Sequence, residues 1–169
     1  MGERGVRRSI LLLVSSMSAG GRSVRLGPRI VRILRGGGWE VAVRLTTPGD
    51  DPAALAAQVA SDSIVAALGG DGYLGAVARG CHDSGALFVP FPGGRGNDLC
   101  RALGIGTDPL ARARDVASLG FVSGTAGDEA VAGRARRATD AFASRVRPLD
   151  GMWVRSRDGV RLALGVVSV

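Results

Sequence analysis

The sequence predicts an α/β domain of three layers (α/β/α), a mostly parallel sheet between two layers of helices, followed by the start of a β-rich second domain. Three observations carry this expectation. The apolar runs Ser9–Val14, Ile64–Leu68 and Leu87–Phe91 lack the alternation of a half-exposed strand, as expected of strands covered on both faces. Helix-like sequence follows each run, and strands alternating with helices indicate a parallel sheet. The 27 glycines are about twice the ordinary frequency, show no period and gather where apolar runs end.

The elements follow in order. The first strand, Ser9–Val14, ends in Ser15-Ser16-Met17-Ser18-Ala19-Gly20-Gly21. A helix then reaches about Arg35 and stops at Gly36-Gly37-Gly38, glycine being the usual helix terminator. Arg22, Arg25, Arg29 and Arg32 share one face of it, while Val24, Ile30, Val31 and Leu34 supply the apolar side. Pro28 lacks a backbone donor and disfavours helix at Gly27, so the helix either begins at Pro28 or kinks there. Trp39–Leu45 is the second strand. Asp51-Pro52 then provides a cap and a first-turn proline for an alanine-rich helix over Pro52–Ala60. The third strand, Ile64–Leu68, gives way at Gly69-Gly70-Asp71-Gly72 to a helix through Val77 to about Cys81. After the fourth strand, Leu87–Phe91, a short helix runs from Asn97-Asp98 through Ala102, and Asp108-Pro109 opens another to about Ala117.

Residues 1–120 therefore read as one α/β domain. Over 121–148 the apolar signal thins, and this part reads as a connector with a loop at Gly124–Gly127 and a weakly amphipathic helix over Glu129–Ser144. In 149–169 the apolar stretches Met152–Val154 and Val160–Val167 flank Ser156-Arg157-Asp158-Gly159, a hairpin signal. The pattern stops in mid-strand at Val169, so the hairpin reads as the first piece of an incomplete β-rich domain.

Composition narrows the chemistry. All 22 basic residues are Arg, so no lysine is present for a Schiff base or a Walker-type phosphate loop. The net charge of +7 raises nucleic acid as a partner, but no nucleic-acid motif or aromatic interleaving accompanies it, and nucleic-acid binding is not expected. The charge is uneven: the glycine-rich centre, 47–100, is acidic between basic flanks. The Arg22–Arg32 stripe reads as a solvated face or as a contact for anionic lipid headgroups. Cys81 and Cys100 are isolated and His82 is the single histidine, which excludes a zinc site and suggests reduced thiols in a cytoplasmic protein. The apolar part of the N-terminal segment is shorter than a signal-peptide core, and no run approaches a membrane span.

A strand that stops at glycines before a helix presents bare N–H groups and a helix N-terminus, which together make an anion site. Two such junctions in succession, Gly69–Gly72 and Pro92–Asp98, read as a phosphate-binding crevice. Ser15–Gly21 is a third glycine-containing loop. Asp71 cannot favour an anion, so it holds Mg²⁺, accepts a proton or bonds a hydroxyl.

At these junctions the sequence resembles the diacylglycerol kinase catalytic domain family and its lipid-kinase relatives, which share a fold with NAD kinases. The family's G-G-D-G-T turn stands here as Gly69-Gly70-Asp71-Gly72-Tyr73, and its P-x-G-T-x-N-D segment as Pro92-Gly93-Gly94-Arg95-Gly96-Asn97-Asp98. Its first loop is matched loosely by Ser15-Ser16-Met17-Ser18-Ala19-Gly20-Gly21-Arg22, and the likeness covers roughly residues 9–118. The resemblance implies ATP and Mg²⁺ as cofactors, a lipid hydroxyl such as that of diacylglycerol as acceptor, and a place in the cytoplasm or at the inner membrane surface. It implies Asp71 as the catalytic or metal-linked carboxylate. The nucleotide contacts it implies are Ser18, Gly20, Gly21, Arg22, Gly69, Gly70, Gly72, Tyr73, Gly94, Arg95, Gly96, Asn97 and Asp98. Asn97 and Asp98 could equally cap the next helix.

Three residues depart from the family. Tyr73 and Arg95 stand where threonines are usual, and Ala76 where an acidic residue is common. A phenol is too long to imitate threonine, so Tyr73 either turns out of the crevice or fills part of it. Arg95 offers a guanidinium fork to phosphate. Besides a lipid kinase, truncated or degenerate, the alternatives are a non-catalytic nucleotide-binding or regulatory module, an NAD-kinase-like enzyme, and an α/β domain whose glycine turns are only tight connections.

Overall fold

In a computed structural model the structure describes residues 6–61, 63–119, 121–122, 152–156 and 159–163. A two-residue strand β1 (Val6–Arg7) leads into β2 (Ser9–Ser15), a 3-10 turn at Ser18–Gly20 and helix α1 (Arg22–Gly36). Then come β3 (Glu40–Thr46), α2 (Pro52–Ala57), β4 (Ile64–Gly69), α3 (Asp71–Ser84) and β5 (Leu87–Pro92). Helices α4 (Asp98–Ala102) and α5 (Pro109–Ala117) precede β6 (Phe121–Val122). Farther along, β7 (Met152–Ser156) pairs antiparallel with β8 (Gly159–Ala163).

The four long strands form one wholly parallel sheet in the order β3-β2-β4-β5. Its alternate residues feed two cores. Ile10, Leu12 and Val14 of β2 pack with Ile30 and Leu34 of α1 and Ala113 and Val116 of α5 on one face. Leu13 of β2, with Val65 and Ala67 of β4, packs with Ala56 of α2 and Leu74, Val77 and Cys81 of α3 on the other. The central strands read as unbroken apolar runs because both parities are buried. The α/β/α expectation holds, and Cys81 and Cys100 are free, buried thiols.

Several boundaries differ. Helix α1 starts at Arg22 and passes through Pro28, which neither begins nor ends it. Pro28 is tolerated because it lies on the exposed flank, while the sheet-facing line Ser23, Gly27, Ile30 and Leu34 is buried. Gly27 faces Val14, and a Cβ there would make only ordinary van der Waals contact with its methyls at 3.9 Å. Helix α2 ends at Ala57, short of Ala60, and α3 continues past Cys81 to Ser84, where left-handed Gly85 closes it. The β1–β6 pair, Val6 opposite Val122, has too little sequence to be foreseen. In the hairpin, Ser156 pairs with Gly159, so Gly159 belongs to β8. The expected loop at Gly124–Gly127 and helix over Glu129–Ser144 lie outside the described residues.

Candidate functional site

The order β3-β2-β4-β5 reverses direction between β2 and β4: the chain moves outward from β2 to β3, then returns past β2 to β4. Helices α1 and α3 leave these strands on opposite faces, which opens a crevice at the carboxyl ends, the usual ligand position in such sheets. The loop after β2 and the loop after β4 form its two sides.

The first loop turns through three left-handed residues, Ala19 (φ 45), Gly20 (φ 65) and Gly21 (φ 80). Ala19 is the one without glycine's freedom, so this turn holds strain. Gly21 is the N-cap of α1, which has no side-chain cap and no acid in its first turn. The amides of Arg22, Ser23 and Val24 therefore lack intrahelical acceptors, as at any helix start. Arg22 is exposed and makes no hydrogen bond or ion pair among the described residues, whereas Arg25 donates to Gly20 O at 3.1 Å. The hydroxyls of Ser16 and Ser23 are buried with no partner. Ser23 lies under a further crevice loop, Gly93–Asn97 after β5, its Oγ 2.4 Å from where a Cβ on Gly93 would be.

The loops are tied to one another. Gly70 N donates to Ser18 Oγ at 3.1 Å, joining the first loop to the second. Gly93 N donates to Gly69 O at 2.8 Å, and a Cβ on Gly94 would come within 2.6 Å of Gly70 Cα. The glycines at 69, 70, 93 and 94 thus let two loop backbones touch.

Asn97 has φ 57 and caps nothing with its side chain. It exchanges two hydrogen bonds with Gly94 instead, accepting from Gly94 N at 3.0 Å and donating to Gly94 O at 3.2 Å. The capping expected of Asn97 falls to Asp71, whose Oδ1 accepts from Leu99 N in the first turn of α4 at 3.0 Å. Asp98 is exposed and pairs through Oδ1 with Arg101 at 2.9 Å, and Arg101 also donates to Gly96 O. A Cβ on Gly96 would meet Asp71 Oδ2 at 3.0 Å and Asp98 Oδ2 at 3.3 Å, so both carboxylates face one point. Arg95, on the same loop, is exposed and has no hydrogen bond or ion pair among the described residues.

Tyr73 fills part of the crevice. Its ring covers Gly69, where a Cβ would lie 2.5 Å from Cδ1. Thr46 Oγ1, at the end of β3, lies 3.2 Å from Val14 O and 3.0 Å from Tyr73 Oη. Threonine has one proton and a carbonyl only accepts, so when Thr46 donates to Val14 the phenol donates to Thr46. Burial pushes the Tyr73 phenol above its usual range; the hydrogen bond with Thr46 opposes this and the Asp50 charge adds to it. Thr46 and Ser23 border the crevice outside the motifs read from the sequence, and the available signal is a hydroxyl side chain at the carboxyl end of a strand or the start of a helix.

Among the described residues no three His, Cys, Asp or Glu side chains gather. Two convergent carboxylates do fit an ion that arrives with a phosphate ligand, since Mg²⁺ commonly takes one or two carboxylates, phosphate oxygens and water.

The family model for the diacylglycerol kinase catalytic domain matches residues 9–127. The chain belongs to that family. Among solved structures, two from Bacillus anthracis str. Sterne that carry the name diacylglycerol kinase resemble it, each with a TM-score of 0.55 and 21% identity over 68% of this chain. Identity at that level establishes the shared fold. The match spans 43% and 41% of those chains, so this chain corresponds to under half their length. No curated protein matches the sequence. The three loops of the crevice all fall inside the family match. Among the described residues no helix is long and apolar enough to cross a membrane.

Proposed function

We propose that the chain is the nucleotide-binding part of a lipid kinase of the diacylglycerol kinase type, which binds ATP with Mg²⁺ in the crevice between β2 and β4. One observation carries the reading: the Ser18–Gly70 hydrogen bond holds the starts of α1 and α3 together at the reversal of strand order. Uncapped helix starts attract phosphate through free amides and the helix dipole. Arg22 and Arg95 add charge, and Ser16 and Ser23 add hydroxyls without partners. Asp98 would hold Mg²⁺ together with phosphate oxygens and water, the ion neutralising charge on the transferred phosphoryl group when bound.

In the reaction a lipid hydroxyl oxygen bonds to the γ-phosphorus as the bond to the β-phosphate oxygen breaks and ADP leaves. The hydroxyl proton passes to a carboxylate. Asp71 is suited to this because Leu99 N fixes its Oδ1 and leaves Oδ2 facing Gly96.

A second reading, a nucleotide-binding module without catalysis, is favoured by Tyr73, whose ring and hydroxyl are both committed to the protein. Two measurements separate the readings. ATP with Mg²⁺ raises the melting temperature under either, by about 2.7 kcal/mol of stabilisation at a hundredfold excess over Kd; no shift eliminates both. Transfer of labelled phosphate from ATP to diacylglycerol in mixed micelles supports the kinase if Asp71→Asn abolishes it. The amide oxygen of Asn can still accept from Leu99 N, so that variant keeps its fold.

A further inference from the structure

We propose that Tyr73 is the specificity-determining wall of the crevice: it closes the β3 side, and confines a ligand's phosphate groups between the first turn of α1 and the Gly94–Asp98 loop. The inference rests on the phosphate-binding reading above and adds which part of the crevice the phosphates use. The ring lies against Gly69 so closely that any side chain there would collide with it, at 2.5 Å from Cδ1. Its hydroxyl is held 3.0 Å from Thr46 Oγ1, which in turn lies 3.2 Å from Val14 O. The phenol thereby links the carboxyl ends of β4, β3 and β2. Because Tyr73 is in the first turn of α3, its side chain occupies space that a smaller residue would leave open beside the free amides of that turn.

Arg22 and Arg95, each exposed and without a partner among the described residues, stand at the start of α1 and on the Gly94–Asp98 loop, the two elements between which the phosphates are confined. Asp50, which bears on the phenol from the β3 side, is already paired with Arg44 at 3.4 Å. The ring is engaged on the protein side, against Gly69 and the α3-side core.

The test compares inorganic tripolyphosphate with ATP, both with Mg²⁺, by titration calorimetry. Tyr73→Ala tightens both ligands at least fivefold, because the wall keeps the phosphates they share off the free amides in the first turn of α3. Tyr73→Phe, which keeps the ring and loses only the hydrogen bond, shows less than half that gain. Tyr73→Leu retains apolar packing against the α3-side core and serves as the opened variant if Tyr73→Ala fails to fold. Weaker ATP binding with tripolyphosphate unchanged makes the ring a base platform and overturns the proposal, as does no gain for either ligand. If the native chain binds neither ligand but Tyr73→Ala or Tyr73→Leu binds tripolyphosphate, the wall stands and the nucleotide-binding reading of the native chain falls. If nothing binds in any variant, both fall.

Discussion

Cys81 shows how a single buried group sets a pH limit. Its thiol is 2% exposed, and burial pushes it from 9.0 up to about 12. Cys100 rises to about 11, chiefly by burial, with the Asp71 charge adding and Arg112 opposing. A thiol that stays protonated when folded but ionises when unfolded contributes stability that is whole below pH 9.0 and lost as pH rises toward those values. Each thiol accounts for at most about 1.4 kcal/mol per pH unit within that window. Melting curves between pH 8 and 11 are expected to fall less steeply for Cys81→Ala than for the native chain; equal slopes would contradict the assignment. The same scale shows what sequence conceals. Glycine and Asp71 positions were legible because few residue types permit close backbones and charge at a strand exit. The partners were not: Asp71 caps a helix 28 positions away in sequence, and Asn97 bonds within its own turn, choices that depend on where the loops meet.

Among the elements, α2 and α3 make the tightest contact. A Cβ on Gly80 would fall 2.1 Å from Ala53 O and 2.8 Å from Ala56 Cβ, both in α2. Gly80→Ala must push α2 away from α3, an overpacking cost of about 1–3 kcal/mol, and thermal denaturation is expected at a correspondingly lower temperature. Gly36→Ala, where a Cβ meets nothing within 4 Å, is the control that shows no comparable drop. Strand positions were read well because β2 and β4 are buried on both faces and β5 is apolar throughout, so each carries its pattern locally. Helix ends were read less well. Proline at 28 argues against a helix by local rules, yet the packing of Ile30 and Leu34 on the sheet outweighs one lost hydrogen bond.

At the scale of the molecule, the parallel order of the sheet follows from the alternation of strands and helices, but the place where that order reverses does not. Nothing within β3 says that it lies outside β2 rather than beyond β5. Its parallel pairing with β2 records the answer, and Val43 and Leu45 remain about half exposed at that edge of the sheet, whereas Val65 to Leu68 of β4 are wholly buried.

The small ladder between β1 and β6 sets Val6 beside Val122, so the path of the chain through the α/β body is nearly a closed ring. Bodies of that kind tolerate being opened elsewhere. A circular permutant in which a short Gly-Ser bridge joins residue 122 to residue 6, with new ends between Gly106 and Thr107 on the exposed α4–α5 turn, is expected to refold with the same circular-dichroism spectrum. Failure to refold would mean that the order of synthesis, and not only the closed path, is needed to assemble the sheet.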